Sequence, residues 1–441
     1  MVTDGAAAIS NQANTQERAT PVSLFPILSV VFVGTLGFSV VLPFLVFLVT
    51  KWGGNAFIYG MMGATYSFFQ LIGAPVLGRW SDRYGRRKIL LLSQIGTMLS
   101  WGIFLTAFFL PVTVIGDVDS ALLGQFTLTL PLVIMFFARA ADGLTGGNVS
   151  VANAYIADIT DESRRSENFG RMAVSGNLGY IFGPALAGLL GATIYGELLP
   201  VLAALLISLS ATLIIAIGLK ETPSRTLDRY PDRMSVRKVF GQEEEDCFRV
   251  KDADQLSASD ILRLPGVPSV MLIYFLVMLG FSFFYISFPM HAVQGLNWSV
   301  MDAGTFFAVF SLMLVVVQGP VLARVSRRVS DKTLIVGGSL ILASGFVTLL
   351  GGTTAVIYSA ALLIALGNGL MWPTVLAVLS KVASDRHQGA VQGFASSAGA
   401  IASIAGLILG GFLFNWLDSG VFAISAATIL VVSAVACVGS K

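Results

Sequence analysis

This chain predicts an all-α membrane protein built from two similar six-helix bundles, and three observations carry the prediction. Its residues are 55% hydrophobic and only 12% charged, against roughly 25% charged in a soluble domain. Apolar stretches of about 20 residues, enough to cross roughly 30 Å of hydrocarbon, recur along the whole length. The two halves also repeat one another in glycines and in cations.

Twelve spans are expected, near 24–50, 56–78, 89–111, 128–157, 172–195, 199–219, 268–290, 303–323, 333–352, 356–379, 390–413 and 420–438. With these spans, 25 of the 27 Lys and Arg residues fall in the tails and loops of one side. Lys51 alone lies on the other side, and Arg139 lies inside a span. By the positive-inside rule both termini are cytoplasmic, and the protein is expected in the plasma membrane, the inner membrane of a bacterium. The chain divides into a polar tail at 1–22, a first bundle at 23–219, a linker at 220–267 and a second bundle at 268–441.

The tail lacks a basic signal region and is expected to be disordered ahead of an uncleaved first span. The linker carries the acidic run Glu243, Glu244, Glu245 and Asp246 and reads as a solvated connector or a docking segment. Ser257–Leu264 could form a short amphipathic helix at the membrane surface. Cys247 and Cys437 fall in a loop and in the last span, so neither a disulfide framework nor a metal cluster is expected. The basic loops face anionic lipid, which makes membrane lipid a partner and leaves nucleic acid unsupported.

A shift of 223 places Gly170, Gly176, Gly183 and Gly188 on Gly393, Gly399, Gly406 and Gly411. A shift of 241 places Gly78, Arg83, Arg86 and Arg87 on Gly319, Arg324, Arg327 and Arg328. The difference is accounted for by a longer outer segment in the first half, around Pro111–Gln125. Two related bundles put a solute site near the bilayer midplane, exposed alternately to either side.

The loop after the second span reads Gly78-Arg-Trp-Ser-Asp82-Arg83-Tyr-Gly85-Arg86-Arg87-Lys88. It combines a helix end, a carboxylate, a glycine suited to a tight reversal and several cations. Cations alone would set topology, but topology needs neither Asp82 nor Gly85. The loop resembles that between the second and third helices of the major facilitator superfamily, and the resemblance covers nearly the whole chain. It implies the major facilitator fold. It also implies a conformational latch at Gly78, Asp82, Arg83, Gly85, Arg86 and Arg87, which holds the outward-facing state from the cytoplasmic side.

The fourth span contains Arg139-Ala-Ala-Asp142-Gly-Leu-Thr-Gly-Gly-Asn148. At about 1.5 Å per residue Arg139 lies roughly 17 Å deep. Asp142 follows at i+3 on the same face. Ionisable groups at that depth face a cavity or a partner. Asp142 is therefore the candidate proton carrier, with Arg139 favouring its ionised form while close and releasing it on separation. A permanently ionised structural pair is the alternative. The superfamily commonly has Gln at the position of Asp142. The fifth span spaces Gly170, Gly179, Gly183, Pro184 and Gly188 in a pattern similar to the fifth-helix motif of drug/proton antiporters, although small-residue packing is the simpler account of any one glycine. The first span, Gly34-Thr-Leu-Gly-Phe-Ser-Val-Val-Leu-Pro43, resembles tetracycline/proton antiporters, with Gly34 where an aspartate stands in them. The stretch from Asp142 through Thr160 resembles proton-coupled folate-type solute transporters.

Polar and aromatic groups stranded in apolar spans are the candidate substrate contacts. They are Tyr66, Gln70, Asn148, Asn177 and Tyr180 in the first half, and Tyr274, Tyr285, Gln318, Asn368 and Trp372 in the second. Few charges and many rings suit an amphipathic or weakly cationic organic compound. Packing between helices, or an interfacial aromatic belt, is the alternative for each alone. Together these features predict a monomeric, proton-coupled exporter of small organic compounds. The rivals are a proton-coupled importer and a lipid flippase or non-transporting receptor. The sequence has no phosphate loop, metal cluster or nucleophile–His–acid set, so an enzyme is not expected, and neither is a cofactor.

Overall fold

The helix starts are written locally. In the computed structural model, which describes residues 24–146, 148–160, 165–221, 258–382 and 388–438, α1 (Phe25–Lys51) begins with a proline in its first turn. Proline costs nothing there, because the first N–H groups of a helix have no intrahelical partner. Asn55 caps α2 (Ala56–Tyr84) by accepting from the Ile58 N–H at 3.1 Å. Gly85, at φ +101°, turns the chain directly into α3 (Arg86–Thr106), the tight reversal expected of that glycine.

Next come β1 (Val114–Ser120), β2 (Gly124–Thr129), α4 (Leu130–Thr145), α5 (Asn148–Ile159), α6 (Arg165–Gly191) and α7 (Leu198–Gly218). A four-residue helix, α8 (Ala258–Ile261), precedes the second half. That half contains α9 (Val267–Gln294), α10 (Val300–Val316), α11 (Leu322–Val325), α12 (Asp331–Thr348), α13 (Thr354–Val382), α14 (Gln388–Leu417) and α15 (Val421–Val438). Ser299 and Asp302 form a reciprocal capping box on α10, and Ser330 caps α12. Among the described residues, nine helical stretches are long and apolar enough to cross a membrane.

Four details refine these expectations. The span expected at 128–157 is two helices, because consecutive glycines after Thr145 interrupt it. The span expected at 303–323 relaxes into a π-helical segment over Val317–Val321, where Pro320 has no N–H to give. The outer segment near Pro111–Gln125 is an ordered antiparallel hairpin, with Val118 opposite Phe126 and Ser120 opposite Gly124. The amphipathic segment expected at Ser257–Leu264 has only one helical turn among its described residues, with Ile261 buried beneath it. The acidic run, Cys247 and the 1–22 tail lie outside the described residues.

The internal repeat holds contact by contact. Gly176 lies beside Val31 and Thr35 of α1, and Gly399 beside Tyr274 of α9. Gly183 meets Ser39 of α1, and Gly406 meets Leu279 and Ser282 of α9. Gly188 then crosses to the other half at Gly304, and Gly411 crosses to Ala56 and Phe57. Thus α6 packs on α1 and α10, while α14 packs on α9 and α2. These are two pseudo-symmetric halves.

The two ends of the molecule differ. At the hairpin end one apolar cluster runs through both halves, joining Phe44, Leu48, Met62 and Leu132 to Phe283, Met290, Leu407 and Phe414. At the basic end the halves keep separate cores. One is built on Ile27, Leu90, Val151 and Ile215, the other on Val267, Met271, Leu379 and Val391. A methyl group added to Gly78, Gly170, Gly319 or Gly393, all near the basic end, would meet nothing within 4 Å. Gly78 thus has no close neighbour among the described residues. Among the described residues, the structure is closed at the hairpin end and open at the basic end.

The hairpin straps the closed end. The Leu123 carbonyl accepts from Asn55 of α2 at 2.8 Å and from Asn415 of α14 at 2.9 Å. The Leu122 carbonyl accepts from the Trp416 indole at 2.9 Å. Gly124 turns at φ +75°, and a side chain there would press on the amides of Asn55 and Asn415. Each such bond contributes about 0.5–1.5 kcal/mol. Replacing Asn415→Leu and Trp416→Phe together therefore shifts the population toward opening at this end. In a Cys247→Ser, Cys437→Ser background, a Met290→Cys reporter, buried in the parent, is expected to react severalfold faster with an impermeant maleimide. Unchanged labelling would mean that helix packing alone holds this end shut.

Candidate functional site

The site grows from the interruption between α4 and α5. Breaking a helix frees backbone carbonyls, which must find partners away from water. Ser93 of α3 donates to the Thr145 carbonyl, and Gln70 of α2 donates to the Gly146 carbonyl at 3.2 Å. Close helix approach makes this possible. A side chain on Gly143 would collide with the α2 backbone at Tyr66 and Gln70, and one on Gly73 would collide with Leu144.

One turn before the break sits the ion pair expected from the sequence. Arg139 Nη1 lies 3.3 Å from Asp142 Oδ2, and both side chains are buried, at 6% and 9% exposure. The guanidinium also lies over the Tyr66 ring, 4.5 Å from its centroid, a cation–π contact strengthened by burial. Thr97 of α3 hydrogen-bonds the Asp142 carboxylate. Tyr66 accepts from Gln70 at 3.0 Å. Arg139, Asp142, Tyr66, Gln70 and Thr97 thus form one buried polar group spanning α2, α3 and α4.

Asp142 reaches the wall of a cavity of about 230 Å³ that lies wholly within the first half. Tyr66, Gln70, Asn148 and Tyr180, all expected substrate contacts, line it. Phe38 joins them, edge-on to Tyr180 at 6.4 Å and tilted against Tyr66 at 5.7 Å. Asn177 does not line it; that side chain is exposed on α6. None of the second-half candidates lines it either. Tyr274 and Trp372 pack against each other at a tilt, 5.1 Å apart, Asn368 is buried within α13, and Gln318 sits in the π-helical segment next to Gly369. Tyr285 alone of that set packs against the apolar cluster that joins the two halves. A cavity displaced into one half is the physical consequence of closure at the hairpin end, which packs Tyr285 against the apolar cluster.

Sequence reasoning missed the outer wall of this cavity: Gln94, Thr97 and Trp101 on α3, and Ser208 on α7. The signal was present. Ser93 and Gln94 stand side by side in an apolar span, as Gln70 does in the preceding one.

The predicted latch residues are together at the basic end. Arg86 bridges Asp82 at 2.5 Å and Asp158 at 2.8 Å, and also donates to Ser81 at 2.7 Å. Arg87 donates its N–H to Glu221 at 3.0 Å and a guanidinium N–H to the Ala216 carbonyl at 2.5 Å. Arg83 is exposed beside Tyr84. Every partner named here belongs to the first half or to the start of the linker. In this open arrangement the loop makes none of the expected bridges to the second half among the described residues. In the fifth-span motif, Gly179 packs on Phe32 and Leu36, and its carbonyl accepts from Ser39 at 2.8 Å. Pro184 is buried at the crossing with Gly304, while Gly170 is exposed.

The sequence pattern of the Major Facilitator Superfamily matches residues 27–261 and 270–439, and the chain belongs to that family of transporters. It is a multi-pass membrane transporter rather than an enzyme. It is 28% identical over 391 residues to the class C tetracycline resistance protein of Escherichia coli, covering 88% of each chain. It is 25% identical over 394 residues to multidrug resistance protein 2 of Bacillus subtilis (strain 168), again covering 88% of each. The crystal structure of the human organic anion transporter MFSD10 (TETRAN) superposes with a TM-score of 0.63 at 22% identity, covering 94% of this chain and 98% of that one.

Removing one member of a buried ion pair typically costs about 3–5 kcal/mol, because the other charge is left in an apolar setting. Arg139→Met is therefore expected to lower thermal stability strongly in detergent. The double variant Arg139→Met, Asp142→Leu is expected to regain more than half of the loss. A double variant no more stable than the single would show that the pair is not coupled.

Proposed function

We propose that this transporter exports small amphipathic organic compounds in exchange for protons, by alternating access. The observation that carries the reading is the Asp142 carboxylate, buried against Arg139 and yet in the wall of the cavity. A carboxylate placed there binds a proton when the cavity opens to an acidic side. It releases the proton when Arg139 and Thr97 hold it as the anion. Relatives named for tetracycline and multidrug resistance support export.

In this reading the basic end is cytoplasmic, in the inner membrane of a bacterium, with both termini inside and twelve spans in bundles at 23–219 and 268–441. The structure is then the inward-facing state, and the protein works as a monomer. Tyr66, Gln70, Asn148 and Tyr180 hold substrate in this state. Asn177, Tyr274, Tyr285, Gln318, Asn368 and Trp372 face the path between the halves during the cycle. Asp82, Arg83, Arg86 and Arg87 exchange partners when the inner ends meet, while Gly78 and Gly85 let those ends approach.

Proteoliposomes carrying an interior pH dye test the reading with wild type and Asp142→Asn. A gradient of a lipophilic cation or a tetracycline is expected to drive protons the opposite way in wild type and to have no such effect in the variant. Co-directional movement would make the protein an importer. Coupling that survives Asp142→Asn would reduce that residue to a structural partner of Arg139.

A further inference from the structure

The cavity wall missed by sequence reasoning carries chemistry of its own. Gln94 lies in the middle of α3 and is 1% exposed. Its amide nitrogen donates to the Ser208 hydroxyl at 2.8 Å and approaches the Ser208 carbonyl at 3.4 Å. A carbonyl can only accept, so this pairing fixes the orientation of the amide. The Gln94 Oε1 atom is left buried, without a protein partner, on a side chain lining the cavity. An unpaired buried acceptor costs about 1–3 kcal/mol, so a ligand that donates to it gains what the empty site forgoes.

The surroundings define that ligand. Among the described residues the lining of the chamber has one carboxylate, Asp142, and no cationic side chain. Phe38, Tyr66, Trp101 and Tyr180 supply ring faces. At about 230 Å³ it is smaller than the roughly 300–1,000 Å³ that enclose a whole drug-sized molecule. It therefore takes one end of the ligand, and the remainder extends past the exposed Tyr180 toward the space between the halves.

We propose that this chamber, walled by α3 and α7, is a headgroup subsite that selects aromatic compounds bearing an N–H donor, with Gln94 Oε1 as the fixed acceptor. Ser208 is a positioning residue, engaging the amide nitrogen so that the oxygen is the atom left unpaired. The inference rests on the transport reading above for its biological setting, but not on proton coupling through Asp142.

Two aromatic monocations separate donor recognition from charge and ring stacking. Ethidium carries amino groups; tetraphenylphosphonium has no hydrogen-bond donor. Equilibrium binding of each to purified full-length protein in detergent needs no gradient, so it can fail independently of the proteoliposome experiment. Ethidium is expected to bind wild type more tightly. Gln94→Leu is expected to raise the ethidium Kd roughly tenfold, the effect of one hydrogen bond to a buried acceptor, and at least fivefold more than it raises that of tetraphenylphosphonium. Gln94→Glu, which keeps the acceptor, is expected to restore ethidium binding, and Ser208→Ala to weaken it by a smaller factor. Equal losses for both probes, no loss for ethidium, or no ethidium binding to wild type would overturn the proposal. Where Gln94→Leu fails to fold, the ethidium-to-tetraphenylphosphonium ratio in Ser208→Ala decides.

Discussion

An ionised side chain within hydrocarbon must have its partners built in, and Arg139 dictates much of what surrounds it. Its charge is met by Asp142 one turn away and by the ring of Tyr66 on the facing helix. The contact with Tyr66 is possible only where α2 and α4 approach to backbone distance, and Gly143 and Gly73 permit that approach. The same closeness puts Gln70 within reach of the carbonyl freed where α4 ends. Tyr66 and Gln70 thereby serve the ion pair, the helix break and the cavity lining at once. This sharing makes the site rigid: the groups that satisfy the backbone are the groups a ligand would touch.

The contrast between the two ends follows from where small residues meet. At the hairpin end Gly188 faces Gly304, and Gly60 faces the backbone of Leu407 and Gly411. Two helices can cross there with nothing between them. The corresponding inner glycines have open space beside them. Because Gly170 and Gly393 occupy matching places in the two halves, rocking about the midplane would carry matched surfaces together at the other end. Pseudo-symmetry thus supplies a second contact surface without a second design. The hairpin has no counterpart in the second half among the described residues, so it biases the balance toward the state seen here.

Composition and span length made the fold legible, because hydrocarbon thickness and backbone satisfaction leave few alternatives. The glycine repeat was legible because a residue without a side chain marks a crossing. Asp142 stood out as a charge where charges are rare. The helix break at Gly146 did not, since hydropathy reports apolar length and not continuity. Gln94 escaped because its importance lies in Ser208, which is 114 positions away. The second-half candidates, which do not line this cavity, are hard to assign from sequence for a related reason. A stranded Tyr or Trp, such as Tyr274 against Trp372, is equally well served by a ring on the next helix as by a ligand.

The basic loop shows how weakness suits a moving part. Arg86 joins Asp82 and Asp158, whose side chains are 38% and 37% exposed. Ion pairs with that much water access are worth about 0–1 kcal/mol. A deeply buried pair at the same place would hold one arrangement and resist any other. Here the arginine is occupied within its own half, and under the proposed alternating access little would be lost if it changed partners as the halves converged. The buried pair at Arg139 and the exposed one at Arg86 are therefore opposite solutions. The first fixes geometry where substrate and proton would bind, and the second leaves the helix ends free to rearrange around it.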